Sequence, residues 1–290
     1  YRGKIKVPNQ QVKFEFAGNW KAKIFDIYND EKPLAETRFF VVKPKIECEI
    51  GMYPEFYESQ FPVSTIGLTI EGICRSRTAL IDGNVRVAAV YKNHRWYEPY
   101  FISDNSQFEN QQSSFRYSFN TWIRGFLSAG MRFRIQGLPA ENSYRILNLA
   151  ELGYYPPSVQ FIKSPFADLR RNGNFWDYDD DGAMITAYVP FGYEDYVPFE
   201  FQLDPEGNIS REEVFVVGSF NNWKPSADWQ MIYDEEERMY KLRQWLPRAR
   251  HNYLYATGSL NIDDFQVEKY SYDEFEGNTT GGRQSYLLFV

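Results

Sequence analysis

Six residues, Asp177 to Gly182 (DYDDDG), place three carboxylates at alternate positions ahead of a glycine. Asp177, Asp179 and Asp181 match positions 1, 3 and 5 of a calcium loop, and Gly182 matches position 6. An EF-hand also needs a bidentate glutamate at position 12, where this chain has Tyr188. The motif therefore predicts either a looser Ca²⁺ site or a solvated acidic turn, because Asp and Gly favour turns for local reasons. The two histidines, His94 and His251, have no second His or Cys at metal-ligand spacing. No Gly-x-Ser-x-Gly elbow places a nucleophile, and no Gly-rich loop cradles a phosphate. Thirty-nine acidic residues offer many carboxylate pairs and single out none. Residue chemistry thus points to a protein that is not an enzyme, with no cofactor beyond that candidate calcium.

Strand signals dominate the elements that must position these residues. Period-two alternation marks Val12 to Phe16 and Trp20 to Tyr28, and Glu36 to Val42 returns after a turn cluster at Asn29 to Pro33. One hairpin is marginal alone. Residues 1–43 are therefore expected to be the C-terminal part of an N-terminal β-sandwich domain whose earlier strands are missing here or lie in another chain. Residues 44–153 read as a second β-sandwich, with strands at Ser64 to Gly72, Asn84 to Asn93, Ser113 to Phe119 and Met131 to Leu138. Residues 154–178, with three prolines, read as a linker. Residues 179–290 carry strands ending in Ser285 to Val290 and fit an immunoglobulin-like sandwich. The fold class is all-β, built of tandem sandwiches.

The net charge of −7, with Lys and Arg scattered singly, disfavours a nucleic-acid partner. The longest apolar runs are only a few residues, so no transmembrane helix is expected. The 22 Tyr and 24 Phe suit strands and interfaces. Candidate contact residues cluster in loops: Tyr53, Phe56 and Tyr57; Trp96, Tyr97, Tyr100 and Phe101; and Tyr154, Tyr155, Phe175 and Trp176. Packing between units would use the same rings. Cys48 and Cys74 could pair or stay apart, and their separation along the chain does not decide it.

Two resemblances add to this. Val214 to Lys224 (VFVVGSFNNWK) and Leu246 to Gly258 (LPRARHNYLYATG) resemble the glycogen-binding type of carbohydrate-binding module, an E-set immunoglobulin-like fold. There the tryptophan after Asn-Asn stacks on a glucan ring, a role that would fall to Trp223. That family's lysine is matched by Leu254, and its second stacking Trp has no counterpart at Ser259 or Leu260. With those partners missing, Trp223 is expected to cover the edge of the sandwich sooner than to hold a sugar, because aromatics at sheet edges usually bury area.

The second resemblance runs from Gly18 almost to the end. The stretches AGNWKAKIFDIYNDEKPLAETRFFVVKPKI, NVRVAAVYKNHRWYEPYFI, AYVPFGYEDYVPFEF, VFVVGSFNNW and YSYDEFEGNTTGGRQSYLLFV stand in an order that resembles the type IX secretion plug proteins. Glu276, Gly277, Asn278 and Tyr286 match that family's tail. The resemblance implies a non-enzymatic accessory subunit on the periplasmic face of the outer membrane. Its partners would be the translocon β-barrel, whose periplasmic opening it closes, and other secretion-system subunits. The alternatives are an α-glucan-binding module using Trp223 and a scaffold subunit of a surface assembly.

Overall fold

The computed structural model describes residues 5–29, 31, 33–44, 46–56, 65–76, 87–97, 99–103, 122–124, 130–139, 142–171, 180–186, 195–261, 263–277 and 285–289. The described chain is almost entirely strands and turns.

The first unit is a hairpin of β1 (Gly18–Ile24) and β2 (Ala35–Val41), paired antiparallel from Gly18↔Val41 to Ile24↔Ala35. Val12 to Phe16 forms no strand. Phe14 instead packs edge-on against Trp20 and Phe39.

The second unit has two sheets. One runs in the order β3 (Ile46–Phe56), β4 (Thr65–Ser76), β8 (Met131–Pro139), β7 (Trp122–Arg124). The other centres on β5 (Val87–Lys92), beside β6 (Tyr100–Ser103). Alternate residues of β4, β5 and β8 (Ile70 and Cys74, Ala88 and Val90, Met131, Phe133 and Ile135) fill the space between the sheets. Cys48 and Cys74 lie directly opposite on β3 and β4 and are joined by a disulfide.

The third unit holds the larger core. Its strands are β9 (Arg145–Asn148), β10 (Ile162–Lys163), β11 (Asp168–Leu169), β12 (Ile185–Thr186), β13 (Tyr196–Asp204), β14 (Glu213–Gly218), β15 (Gln230–Asp234), β16 (Met239–Pro247), β17 (Ala249–Leu260) and β18 (Val267–Ser271). A single turn of helix, α1 (Asp273–Glu276), follows. One layer pairs β13 with β16 and β16 with β15, and the other pairs β17 with β14, β9, β12 and β18. β15 also pairs with β14, closing one side. Phe199, Phe201 and Leu203 face Val214, Val216 and Tyr255 across this core. The other face of β14 and β17 is buried too, through Val217, Leu254 and Ala256. Burial on both faces explains why Val214 to Val217 is an unbroken apolar run rather than an alternating one. Each such side chain contributes about 1.5–3 kcal/mol by leaving water.

Three expected assignments are corrected by the pairing. The segment read as a linker supplies β10 and β11, which pair in parallel with β13. β9, expected in the second unit, pairs with β17 of the third. The last strand, β19 (Tyr286–Phe289), leaves the third unit and pairs with β5 of the second, Tyr286↔Lys92 through Phe289↔Ala89. Alternation decides its place: Tyr286 and Leu288 point into the second core. The expected strand Ser113 to Phe119 lies outside the described residues.

Candidate functional site

The loop after β5 gathers residues from all three units. Asn93 adopts a left-handed backbone (φ 51°), which Asn tolerates, and so turns the chain out of the strand. Its amide donates to the Ser285 carbonyl at 2.6 Å, and its side-chain oxygen accepts from the Ser285 amide at 2.8 Å. Its Nδ2 donates to the hydroxyl of Tyr144. β19 is thus tied to this turn through the residue just before it.

Arg95 then points into the third unit, where it is 2% exposed. Its guanidinium carbon sits 4.8 Å from the ring centre of Trp223, 4.8 Å from Tyr272 and 5.5 Å from Tyr144. These rings come from the turn after β14, the residue before α1 and the residue before β9. A planar cation among aromatic faces is attracted by their quadrupoles, the more strongly for being desolvated.

The geometry of the Gly218-Ser-Phe-Asn-Asn-Trp223 turn explains why it presents its tryptophan inward. Asn221 accepts from the Gly218 amide at 2.8 Å and donates to the Val216 carbonyl at 2.9 Å, which folds the turn back on its strand. Asn222 and Trp223 both take left-handed backbone angles. A side chain at Gly218 would lie 2.5 Å from the Asn252 carbonyl, so the close approach requires glycine. Trp223 Nε1 donates to the Gly182 carbonyl at 2.9 Å, and its ring lies 4.5 Å from that of Tyr144. At 2% exposure, Trp223 has no free face for a sugar ring. The alternative of a glucan platform at Trp223 is corrected: the indole packs the junction.

The acidic turn meets the same loop. The Asp181 carbonyl accepts from the His94 amide at 3.2 Å, and the Asp181 carboxylate lies 3.4 Å from His94 Nδ1 and accepts from the Ala183 amide. Asp180 takes two contacts from Arg250, at 2.8 and 3.0 Å, and one from Asn252 at 3.1 Å. Of the calcium candidates, Asp181 is engaged in this contact, while Asp177 and Asp179 lie outside the described residues.

Trp96 packs at 5.1 Å from Phe40 of β2 and 5.8 Å from Tyr91 of β5, and Phe40 lies 4.4 Å from Phe289 of β19. Arg38 of the hairpin covers Tyr97 at 4.0 Å. A cleft of about 230 Å³ remains between the units, lined by Glu36, Arg38, His94, Tyr97 and Asn222 among others. Four residues singled out separately, Trp96, Tyr97, Asp181 and Trp223, therefore converge on one place. Of the other contact candidates, the described ones do not join them. Tyr100 packs on the second core and Tyr155 on the third. Tyr154 is 73% exposed. Tyr53 is 54% exposed on β3. The Phe56 and Phe101 side chains and residues Tyr57, Phe175 and Trp176 lie outside the described residues.

Sequence reasoning missed a second polar cluster beneath this junction. Glu276 is fully buried and accepts from Arg145 Nε at 2.9 Å, from the Tyr255 amide at 2.9 Å and, as an ion pair, from Arg171 Nε at 3.2 Å. Asp168 accepts from the hydroxyls of Tyr253 and Tyr255 at 2.7 and 2.6 Å. Burial opposes the charge on Arg145, but the Glu276 and Asp168 carboxylates outweigh it and hold the guanidinium more firmly protonated than usual. Burial, reinforced by Asp168, raises both tyrosines well above the ordinary phenol range. Burial of Arg171 lowers its value, partly offset by Glu276. The cluster ties β9, β11, β17 and α1 together. Only the Glu276-Gly277 tail match hinted at it.

No family model and no curated protein matches the chain. A solved structure of a hypothetical protein from Parabacteroides merdae is similar over 97% of this chain and 69% of that one, with a TM-score of 0.68 and 16% identity. At that identity the likeness shows the fold alone.

Proposed function

We propose that this chain is a non-enzymatic accessory subunit of a protein secretion machine, which closes the periplasmic opening of an outer-membrane translocon barrel. One observation carries the reading: Arg95, Trp96 and β19 interlock the three units. A body that seals an opening must resist hinging, and its aromatic residues are then best used as packing between units. The ordered resemblance of five stretches to the type IX plug proteins supports the same reading. The disulfide between Cys48 and Cys74 suits an oxidising compartment such as the periplasm. The contact surface toward the barrel is part of the proposal, with exposed Tyr154 its best-placed residue among the sequence candidates.

The test is native purification of the tagged chain from gently solubilised outer membranes. Recovery of a very large β-barrel in stoichiometric amount is the expected result. Recovery of filament subunits would favour a surface scaffold instead, and a chain that emerges alone would refute the partner.

A further inference from the structure

The outer face of β13 and β16 lies on the far side of the third unit from Arg95, because the inner face of these strands fills the core with Phe199, Phe201 and Leu246. Directly opposed residues share a face of an antiparallel pair. The register therefore places Tyr196 with Pro247, Pro198 with Trp245, Glu200 with Arg243 and Gln202 with Lys241 on this outer face. Trp245 and Tyr196 are each 54% exposed. They sit on neighbouring strands in diagonal positions, about 7–8 Å apart at the backbone. Phe161, just before β10, stands edge-on to Trp245 at 6.2 Å.

Next to these rings the polar groups are already ordered. Arg243 Nε donates to Glu200 at 2.6 Å, and Gln202 donates to the other Glu200 oxygen at 2.7 Å. The Arg243 guanidinium also reaches over Phe161 at 5.6 Å. Lys241 is paired with Asp234 and Glu237. Arg243 thus has one carboxylate and Lys241 two, which leaves the row close to neutral. Glu200 is 8% exposed with both oxygens engaged, so the groups that can still meet hydroxyls are the remaining N–H groups of Arg243, 65% exposed, and the Gln202 amide.

We propose that this face is a binding platform for a neutral glycan chain. An exposed indole and phenol offer flat apolar area to the C–H faces of successive sugar rings. Arg243 and Gln202, both held in place by buried Glu200, offer donors and an amide oxygen in fixed positions to their hydroxyls. Charge compensation argues against an anionic or cationic ligand. The platform uses none of the residues that carry the secretion reading and stands apart from it.

The experiment titrates the whole chain with four soluble neutral oligosaccharides, cellohexaose, maltoheptaose, xylohexaose and N-acetylchitohexaose, followed by tryptophan fluorescence and calorimetry. Saturable binding of at least one is expected. Trp245→Ala should weaken it at least about tenfold, Trp245→Tyr should keep most of it, and the same-face control Ile232→Ser should leave it unchanged. An unaltered unfolding midpoint in Trp245→Ala verifies the fold, and Phe161→Ala serves as a second variant. Failure of all four sugars to bind, or binding that survives Trp245→Ala, overturns the proposal. Loss of a protein partner in Trp245→Ala without any sugar binding overturns it as well and assigns the face to protein docking.

Discussion

The guanidinium carbon of Arg95 lies 4.8 Å from the ring centre of Trp223, although the two belong to different units and stand 128 positions apart in the chain (223 − 95). Their contact joins the loop after β5 to the turn after β14, and both partners are 2% exposed. Replacing Arg95 with Ala removes a buried cation from three aromatic faces and leaves a void. A loss of about 2–4 kcal/mol is expected. Arg95→Lys should recover only part of it, because an ammonium lacks the planar stacking face. Urea unfolding followed by tryptophan fluorescence measures both. An Arg95→Ala protein as stable as the parent would mean that the cage is decorative.

Glu276 is a sharper case. Its carboxylate meets two guanidinium groups and one backbone amide with no exposure to water. Glu276→Gln keeps the shape and deletes the charge, leaving Arg171 without its ion-pair partner and Arg145 with Asp168 at 3.4 Å as its remaining carboxylate, beside the Leu169 carbonyl at 2.7 Å. Breaking a buried pair from one side costs about 3–5 kcal/mol. The expected outcome is a large drop in the urea midpoint at neutral pH, and a loss below about 1 kcal/mol would show that water reaches the cluster.

His251 predicts the pH dependence. It is fully buried, with Nε2 2.8 Å from the Pro247 carbonyl and Nδ1 3.2 Å from the Ser219 hydroxyl. Burial lowers its value below the ordinary histidine range, and the Pro247 carbonyl offsets this only in part. The unfolded chain therefore binds a proton more readily than the folded one. Stability contributed by the neutral ring is complete above the unfolded value of about 6.5 and is lost as pH falls below it. The slope from this one group is at most about 1.4 kcal/mol per pH unit. His251→Gln should flatten the profile between pH 7 and 5 relative to the parent. Parallel profiles would show that the ring protonates without leaving its site.

The fold was legible where periodicity is local and hidden where pairing is remote. The hairpin of β1 and β2 could be read directly, because its alternation and turn cluster are contiguous. The apolar run Val214 to Val217 marked a strand but did not reveal that both of its faces are covered. Trp223 shows why a residue type does not fix a role: the same turn that lifts a tryptophan toward solvent can fold it onto Gly182 and Tyr144. Arg95 was passed over beside Trp96, since nothing in Asn-His-Arg-Trp says which side chain turns inward. β10 and β11 are two residues each, too short for any period, and are held by parallel pairing with β13.

β19 gives the last prediction. It runs beside β5, with Tyr286 and Leu288 packed on the second core and Phe289 5.6 Å from Tyr91. A chain ending at Gly277 would keep α1 and Glu276, and so the polar cluster of the third unit. It would lose a strand from the sheet of β5 and β6, along with the two Asn93–Ser285 hydrogen bonds. The second unit should then unfold separately and earlier, turning one cooperative urea transition into two, while the third unit keeps its own midpoint. Limited proteolysis should cut first among residues of the second unit. Adding residues 278–290 back as a synthetic peptide should merge the transitions again, since the missing contacts are those of a single strand and its cap. A truncated chain that still unfolds in one step at the parent's midpoint would show that β19 is not what couples the two units.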